Sequence, residues 1–195
     1  IPENLFLSIR LAGQGDSFTL SGSAITVMGE IDVYSAAVIQ NDLVIEQSGY
    51  LYADKAATNG KLVLEGEIFC EGSMDLMHKT VMKEDLFLGP NGWMHVTAPL
   101  TMEAAVTNRG VIDFYYGSGV TMKFSKPDQY DDGSGEDTGI IYVNGSDAAF
   151  PADVLAGVKL SDFKVKYVPA GGLETPYWKL TNYGEGSNEP PQSSA

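Results

Sequence analysis

From Phe18 to Phe124 apolar residues recur at every second position in short bursts, separated by Gly, Asn, Asp or Ser. Alternation of this kind marks strands with one buried face, and the interruptions are those of tight turns. The bursts come in pairs: Ile25/Val27 with Ile31/Val33, Leu43/Ile45 with Leu51/Ala53, Leu62/Leu64 with Ile68/Cys70, Leu86/Leu88 with Met94/Val96, and Ile112/Phe114 with Val120/Met122. A further burst lies at Met74/Leu76. Each pair brackets a corner of small residues, at Gly29, Ser48-Gly49, Gly66, Gly89-Pro90-Asn91-Gly92 and Gly117-Ser118-Gly119. The first bursts open at Ile25, Leu43, Leu62, Leu86 and Ile112, roughly 18 to 26 residues apart, which is the length of a solenoid coil. The pattern predicts an all-β chain wound as a single-stranded parallel β-solenoid over 17–125, with Leu43, Leu62, Leu86 and Ile112 stacked above one another. A β-sandwich of hairpins is the competing reading, because Asn59-Gly60 and Asn91-Gly92 are hairpin-turn dipeptides.

Either side of this region the character changes. Residues 1–16 read as an entry strand, and 126–139 as a polar, acidic, Gly-rich loop. Strand-like runs resume in 140–183, where Phe163, Val165 and Tyr167 alternate with Lys164 and Lys166. These strands are expected to cap the coil, since an uncovered end exposes unpaired edges. Residues 184–195, with Glu-Pro-Pro and Ser-Ser, read as a flexible tail. The start at Ile1-Pro2 has no Met and looks trimmed, and a piece upstream of it is where a targeting signal or an anchor would sit.

Charge and cysteine content narrow the function classes. Acidic residues outnumber basic ones 26 to 12, for a net charge of −14, which repels a phosphate backbone and argues against nucleic-acid binding. No basic residue stands between Arg10 and Lys55, so the charged residues of that stretch are all acidic. No apolar run approaches the roughly 18 residues of a membrane helix, so no membrane insertion is expected. The single Cys70 excludes an intramolecular disulfide and reads as a small buried hydrophobe.

Two segments carry a family resemblance. Thr58-Asn59-Gly60-Lys61-Leu62-Val63-Leu64 and Thr107-Asn108-Arg109-Gly110-Val111-Ile112 place an Asn and a Gly before an alternating strand. This resembles the turn-then-strand signature of right-handed parallel β-helices in phage fibres, tailspikes and bacterial surface adhesins. The resemblance covers residues 17–125 and implies a structural or adhesive role, extracellular at a cell or virion surface, in a homo-oligomer such as a trimer. The same broad group is similar to polysaccharide lyases and hydrolases, which use carboxylate clusters beside Lys or Arg. Here only Arg10 and Arg109 are arginines.

Catalytic signatures are absent from the sequence: no phosphate-binding loop ending in Lys-Ser/Thr, no Gly-x-Ser-x-Gly, no His-Glu-x-x-His. Gly13-Gln14-Gly15 lacks the third glycine of a dinucleotide fingerprint, and the histidines are only His78 and His95. The expectation is a non-enzymatic protein without a resident cofactor. Three candidate surfaces remain. Val44, Val63 and Phe87, outward positions of the first bursts, predict an apolar stripe covered by the C-terminal segment or by a second copy. Tyr52, Phe69, Trp93, Tyr115 and Tyr116 predict an aromatic face able to stack on sugar rings, which makes a carbohydrate-binding module the alternative function. Asp128, Asp131, Asp132 and Asp137 offer hard oxygen ligands, with Glu136, on a Gly-rich segment suited to calcium, although their spacing does not follow the EF-hand.

Overall fold

The computed structural model describes residues 1–3, 5–9, 18–54, 60–115, 120–126, 129–133, 139–144, 150, 155–158, 163–169, 171 and 176–182, except the side chains of Phe6, Ile9 and Asn182. Among them there is no α-helix. The chain is a parallel β-solenoid whose coil has three strands, one on each of three sheets.

The first sheet, face A, holds β1 (Phe6–Ile9), β4 (Glu30–Val33), β7 (Tyr50–Ala53), β10 (Ser73–Leu76), β13 (Trp93–Val96), β16 (Val111–Tyr115) and β19 (Ile140–Asn144), all in parallel. Face B holds β2 (Phe18–Leu20), β5 (Ala37–Ile39), β8 (Leu62–Leu64), β11 (Thr80–Met82), β14 (Leu100–Met102), β17 (Met122–Phe124) and β20 (Leu155–Ala156). Face C holds β3 (Ile25–Val27), β6 (Leu43–Ile45), β9 (Ile68–Cys70), β12 (Leu86–Leu88), β15 (Val106–Asn108) and β18 (Tyr130–Asp131). The parallel ladder thus begins before residue 17 and runs on past residue 125.

Period-two alternation fills the interior. On face A the column Ile31, Leu51, Met74, Met94, Ile112 and Ile141 points inward and is buried throughout. On face C Leu43, Ile68, Leu86 and Val106 stack in the same way. Each such side chain, taken fully out of water, contributes about 1.5–3 kcal/mol toward the conformational entropy lost on folding. Two polar residues that enter the interior, Thr80 and Asn108, are hydrogen-bonded there. Buried Thr80 donates from Oγ1 to the His78 carbonyl (2.8 Å), and buried Asn108 accepts from the Gly110 amide (3.1 Å) and donates to the Ile140 carbonyl (3.4 Å).

The expected stacking of Leu43, Leu62, Leu86 and Ile112 needs correction. Leu43 and Leu86 belong to face C, Leu62 to face B and Ile112 to face A. The residues above Leu62 are Thr80, Leu100 and Met122. Pairing the bursts two by two assumed a two-strand coil. Two strands of the third face, Ala37–Ile39 and Thr80–Met82, carry Ala37 and Thr80 at inward positions where alternation wants large apolar residues.

The corner leading into face A carries glycine in successive coils, at Gly29, Gly49, Gly72, Gly92, Gly110 and Gly139. The amide of the residue after each later glycine donates to the preceding glycine carbonyl, as from Tyr50 to Gly29 (2.8 Å), from Trp93 to Gly72 (2.9 Å) and from Ile140 to Gly110 (2.9 Å). The packing is too close for a side chain: a Cβ on Gly49 would come within 2.1 Å of the Val27 carbonyl oxygen, and one on Gly110 within 2.2 Å of that of Gly92. At the far end face A changes direction. Strands β21 (Phe163–Val168) and β22 (Tyr177–Asn182) add antiparallel, with β22 beside β19. Buried Trp178 and Phe163 lie there, Trp178 against Phe150 and Tyr167, and Phe163 against Tyr130.

Candidate ligand-binding face

The outward residues of face A form two columns. One runs Glu30, Tyr50, Ser73, Trp93, Val111 and Ile140; the other runs Asp32, Tyr52, Asp75, His95, Asp113 and Tyr142. Parallel pairing sets these residues one strand spacing apart, about 4.8 Å. No Lys or Arg occurs in β4, β7, β10, β13, β16 or β19, so their surface offers rings and carboxylates.

In the first column Ser73 stands between Tyr50 and Trp93. Two large rings therefore flank a small residue, about 10 Å apart along the ladder, and the space between them opens as a cavity of about 440 Å³ lined by Tyr50, Ser73, Met74, Asp75, Trp93, His95 and Asp113. Trp93 is 52 % exposed. The polar lining is tied together. The Tyr50 hydroxyl donates to Asp75 Oδ2 (3.0 Å), His95 Nδ1 lies 3.0 Å from Asp113 Oδ2, and Asn144 Nδ2 donates to Asp113 Oδ1 (2.7 Å). Asp75 Oδ1 is buried and finds no hydrogen-bond partner among the described residues. Burial, followed by the bond to Asp75, pushes the Tyr50 hydroxyl well above the ordinary phenol range, which keeps it a donor.

A second cavity of about 460 Å³ lies toward the N-terminal end, lined by Glu3, Leu5, Met28, Gly29, Glu30, Ser48 and Tyr50. Tyr50 lines both cavities. Between and beside them Tyr52 packs on Tyr50 with near-parallel rings (6.1 Å) and meets Tyr34 edge-on (6.2 Å). The hydrogen bond with Asp32 raises the Glu30 carboxyl above its usual range, with burial adding to the effect. Face A thus presents a run of adjoining concavities walled by aromatic rings and acids.

The structure places the expected residues as follows. Tyr52, Trp93 and Tyr115 share face A, with Tyr115 54 % exposed at the end of β16, whereas Phe69 lies on face C. Tyr116 lies outside the described residues. The stripe Val44, Val63 and Phe87 is divided. Val44 and Phe87 line face C with Phe69 between them, while Val63 lies on face B, paired with Val38 and Val81, and is buried. The three-strand coil is the reason: consecutive bursts turn a corner and point to different sides. On face C the rings of Phe69 and Phe87 stack at 4.7 Å and 6°.

Of the calcium candidates, Asp128 and Asp137 lie outside the described residues. Asp131 receives both guanidinium nitrogens of Arg109, at 2.8 Å and 3.2 Å, and this pair holds its carboxyl below the usual range. Asp132 is buried. Among the described residues no three His, Cys, Asp or Glu side chains gather as a metal site would require. Sequence reasoning missed Tyr50, Asp75 and Asp113 as members of one site. The signal was present as Gly-x-apolar-x-apolar in Gly49–Ala53, Gly72–Leu76, Gly92–Val96 and Gly110–Phe114, which sets the register of face A. Comparison with protein-family models, curated proteins and solved structures finds no match for this chain.

Proposed function

We propose that this chain is a non-enzymatic adhesive module of a cell or virion surface, in which the rigid solenoid displays face A to a glycan. The observation that carries the reading is the cavity between Tyr50 and Trp93. An exposed indole stands at one side of it, and fixed polar groups, Asp75, His95 and Asp113, line it. Sugar rings have apolar faces that stack on aromatics and hydroxyl edges that need oriented hydrogen-bond partners. A spacing of about two strands leaves room for one ring between Tyr50 and Trp93, and the neighbouring cavity at Glu30 extends the run for a longer chain.

Glycan-array binding by the wild type, Trp93→Ala and Ser73→Phe tests this. Wild type is expected to bind. Trp93→Ala is expected to lose at least about tenfold in affinity, as for an aromatic anchor, and Ser73→Phe to block the cavity while remaining folded. Absence of binding by the wild type, or undiminished binding by both variants, overturns the reading. Unchanged glycan fragments after prolonged incubation are expected; release of new reducing ends would make the chain an enzyme instead.

A second surface supports self-association. The stacked Phe69 and Phe87 beside Val44, with Phe69 42 % exposed, form a compact apolar strip on face C suited to a second copy of the chain.

A further inference from the structure

Resting on the glycan reading, we infer that the cavity of face A selects amino sugars, hexose units carrying a free, protonated amine. Three features of the cavity converge on a cation. First, Asp75 Oδ1 is buried with no donor, although Asp75 lines the cavity and its other oxygen is already held by Tyr50. A buried carboxylate oxygen left unbonded costs the free protein stability, and a ligand donor that draws the Asp75 carboxylate toward the cavity recovers that cost. Second, Asp113 is fixed by His95 and Asn144 on the opposite side of His95 from Asp75, so two carboxylates bracket the cavity. Third, Tyr50 and exposed Trp93 supply ring faces that attract a cation at close range.

The surroundings reinforce the choice. None of the parallel strands β4 to β19 of face A carries Lys or Arg, and the whole chain bears a net charge of −14. A uronate or sulfated sugar would meet Asp75 and Asp113 with no Lys or Arg on the strands that carry them and be repelled, whereas an ammonium group brings three donors and a positive charge. An N-acetylated sugar keeps the stacking and forfeits the charge.

Isothermal titration with a glucosamine tetramer, its fully N-acetylated counterpart and a galacturonate tetramer, at about pH 6 where the amine is charged, separates the cases. The glucosamine tetramer is expected to bind at least about tenfold more tightly than the acetylated one, and the galacturonate not at all. Asp75→Asn and Asp113→Asn are each expected to remove most of that preference, weakening binding of the glucosamine tetramer by a larger factor than that of the acetylated one. Glu103→Gln, on the exposed rim of face B, controls for general attraction of a cation to an acidic protein and is expected to change nothing. Equal affinity for the free and acetylated tetramers, with Trp93→Ala abolishing both, overturns the amino-sugar inference and leaves the glycan reading standing. A preference that survives both Asp variants, or falls equally in Glu103→Gln, also overturns it. No binding of any tetramer or array glycan overturns both. Should Asp75→Asn fail to fold, Asp113→Asn carries the same comparison.

Discussion

Gly72 stands directly over Gly49. The Ser73 amide donates to the Gly49 carbonyl at 3.0 Å, and a Cβ built on Gly72 would come within 2.3 Å of that same oxygen. The contact fixes the height at which β10 begins and therefore sets Ser73 between Tyr50 and Trp93. Gly72→Ala is expected to destabilise the fold by about 1–3 kcal/mol, because backbone and not a flexible side chain must move. Gly171→Ala, with nothing within 4 Å, is expected to be neutral by comparison. Equilibrium denaturation of the two variants beside wild type checks the difference.

That corner also explains what the sequence made legible. Alternation identified the strands, and a recurring unit implied parallel stacking; Gly29, Gly49 and Gly92 were recognisable as corners. Gly72, Gly110 and Gly139 complete the column, and reading all of them would have given three strands per coil. Missing them misassigned Val63 to the same stripe as Val44, and grouped Phe69 with Trp93. Tyr50 and Asp75 stood in plain view, but their adjacency depends on register between coils, and a slip of one strand moves a residue to a different side of the prism. The orphaned oxygen of Asp75 is a matter of side-chain geometry that no spacing encodes.

Asp132 links stability to pH. Burial raises its carboxyl to about 6, so the folded state favours the protonated form. Its favourable contribution is complete below the unfolded value of about 4 and is lost as pH rises through about 6. Asp132→Asn is expected to be more stable than wild type at pH 8, by up to about 3 kcal/mol, with the gap closing below about pH 4. Thermal denaturation across that range measures it. A gap that widens at low pH would contradict the burial.

Cys70 is fully buried on the inner side of β9, and burial pushes its thiol up to about 12. Reaction with a disulfide reagent is expected to follow the opening of the coil, so its rate should rise with denaturant in step with unfolding. Rapid modification of the native protein would place Cys70 elsewhere than in the stacked interior.

The face C strip makes a prediction about mass. If Phe69 and Phe87 meet a second copy, Phe69→Ser with Phe87→Ser is expected to shift sedimentation toward the monomer while preserving the circular dichroism of wild type. Unchanged sedimentation of the folded double variant would remove this strip from any assembly.

The chain has two tryptophans, and they differ sharply: Trp178 is 1 % exposed and Trp93 52 %. Quenching of their emission by acrylamide, with and without saturating glycan fragments of neutral, cationic and anionic kinds, reads directly whether face A is occupied. The account predicts that a bound fragment shields the quenchable emission of Trp93 and leaves that of Trp178 untouched. Trp93 emission that stays fully open to acrylamide with every fragment would contradict it.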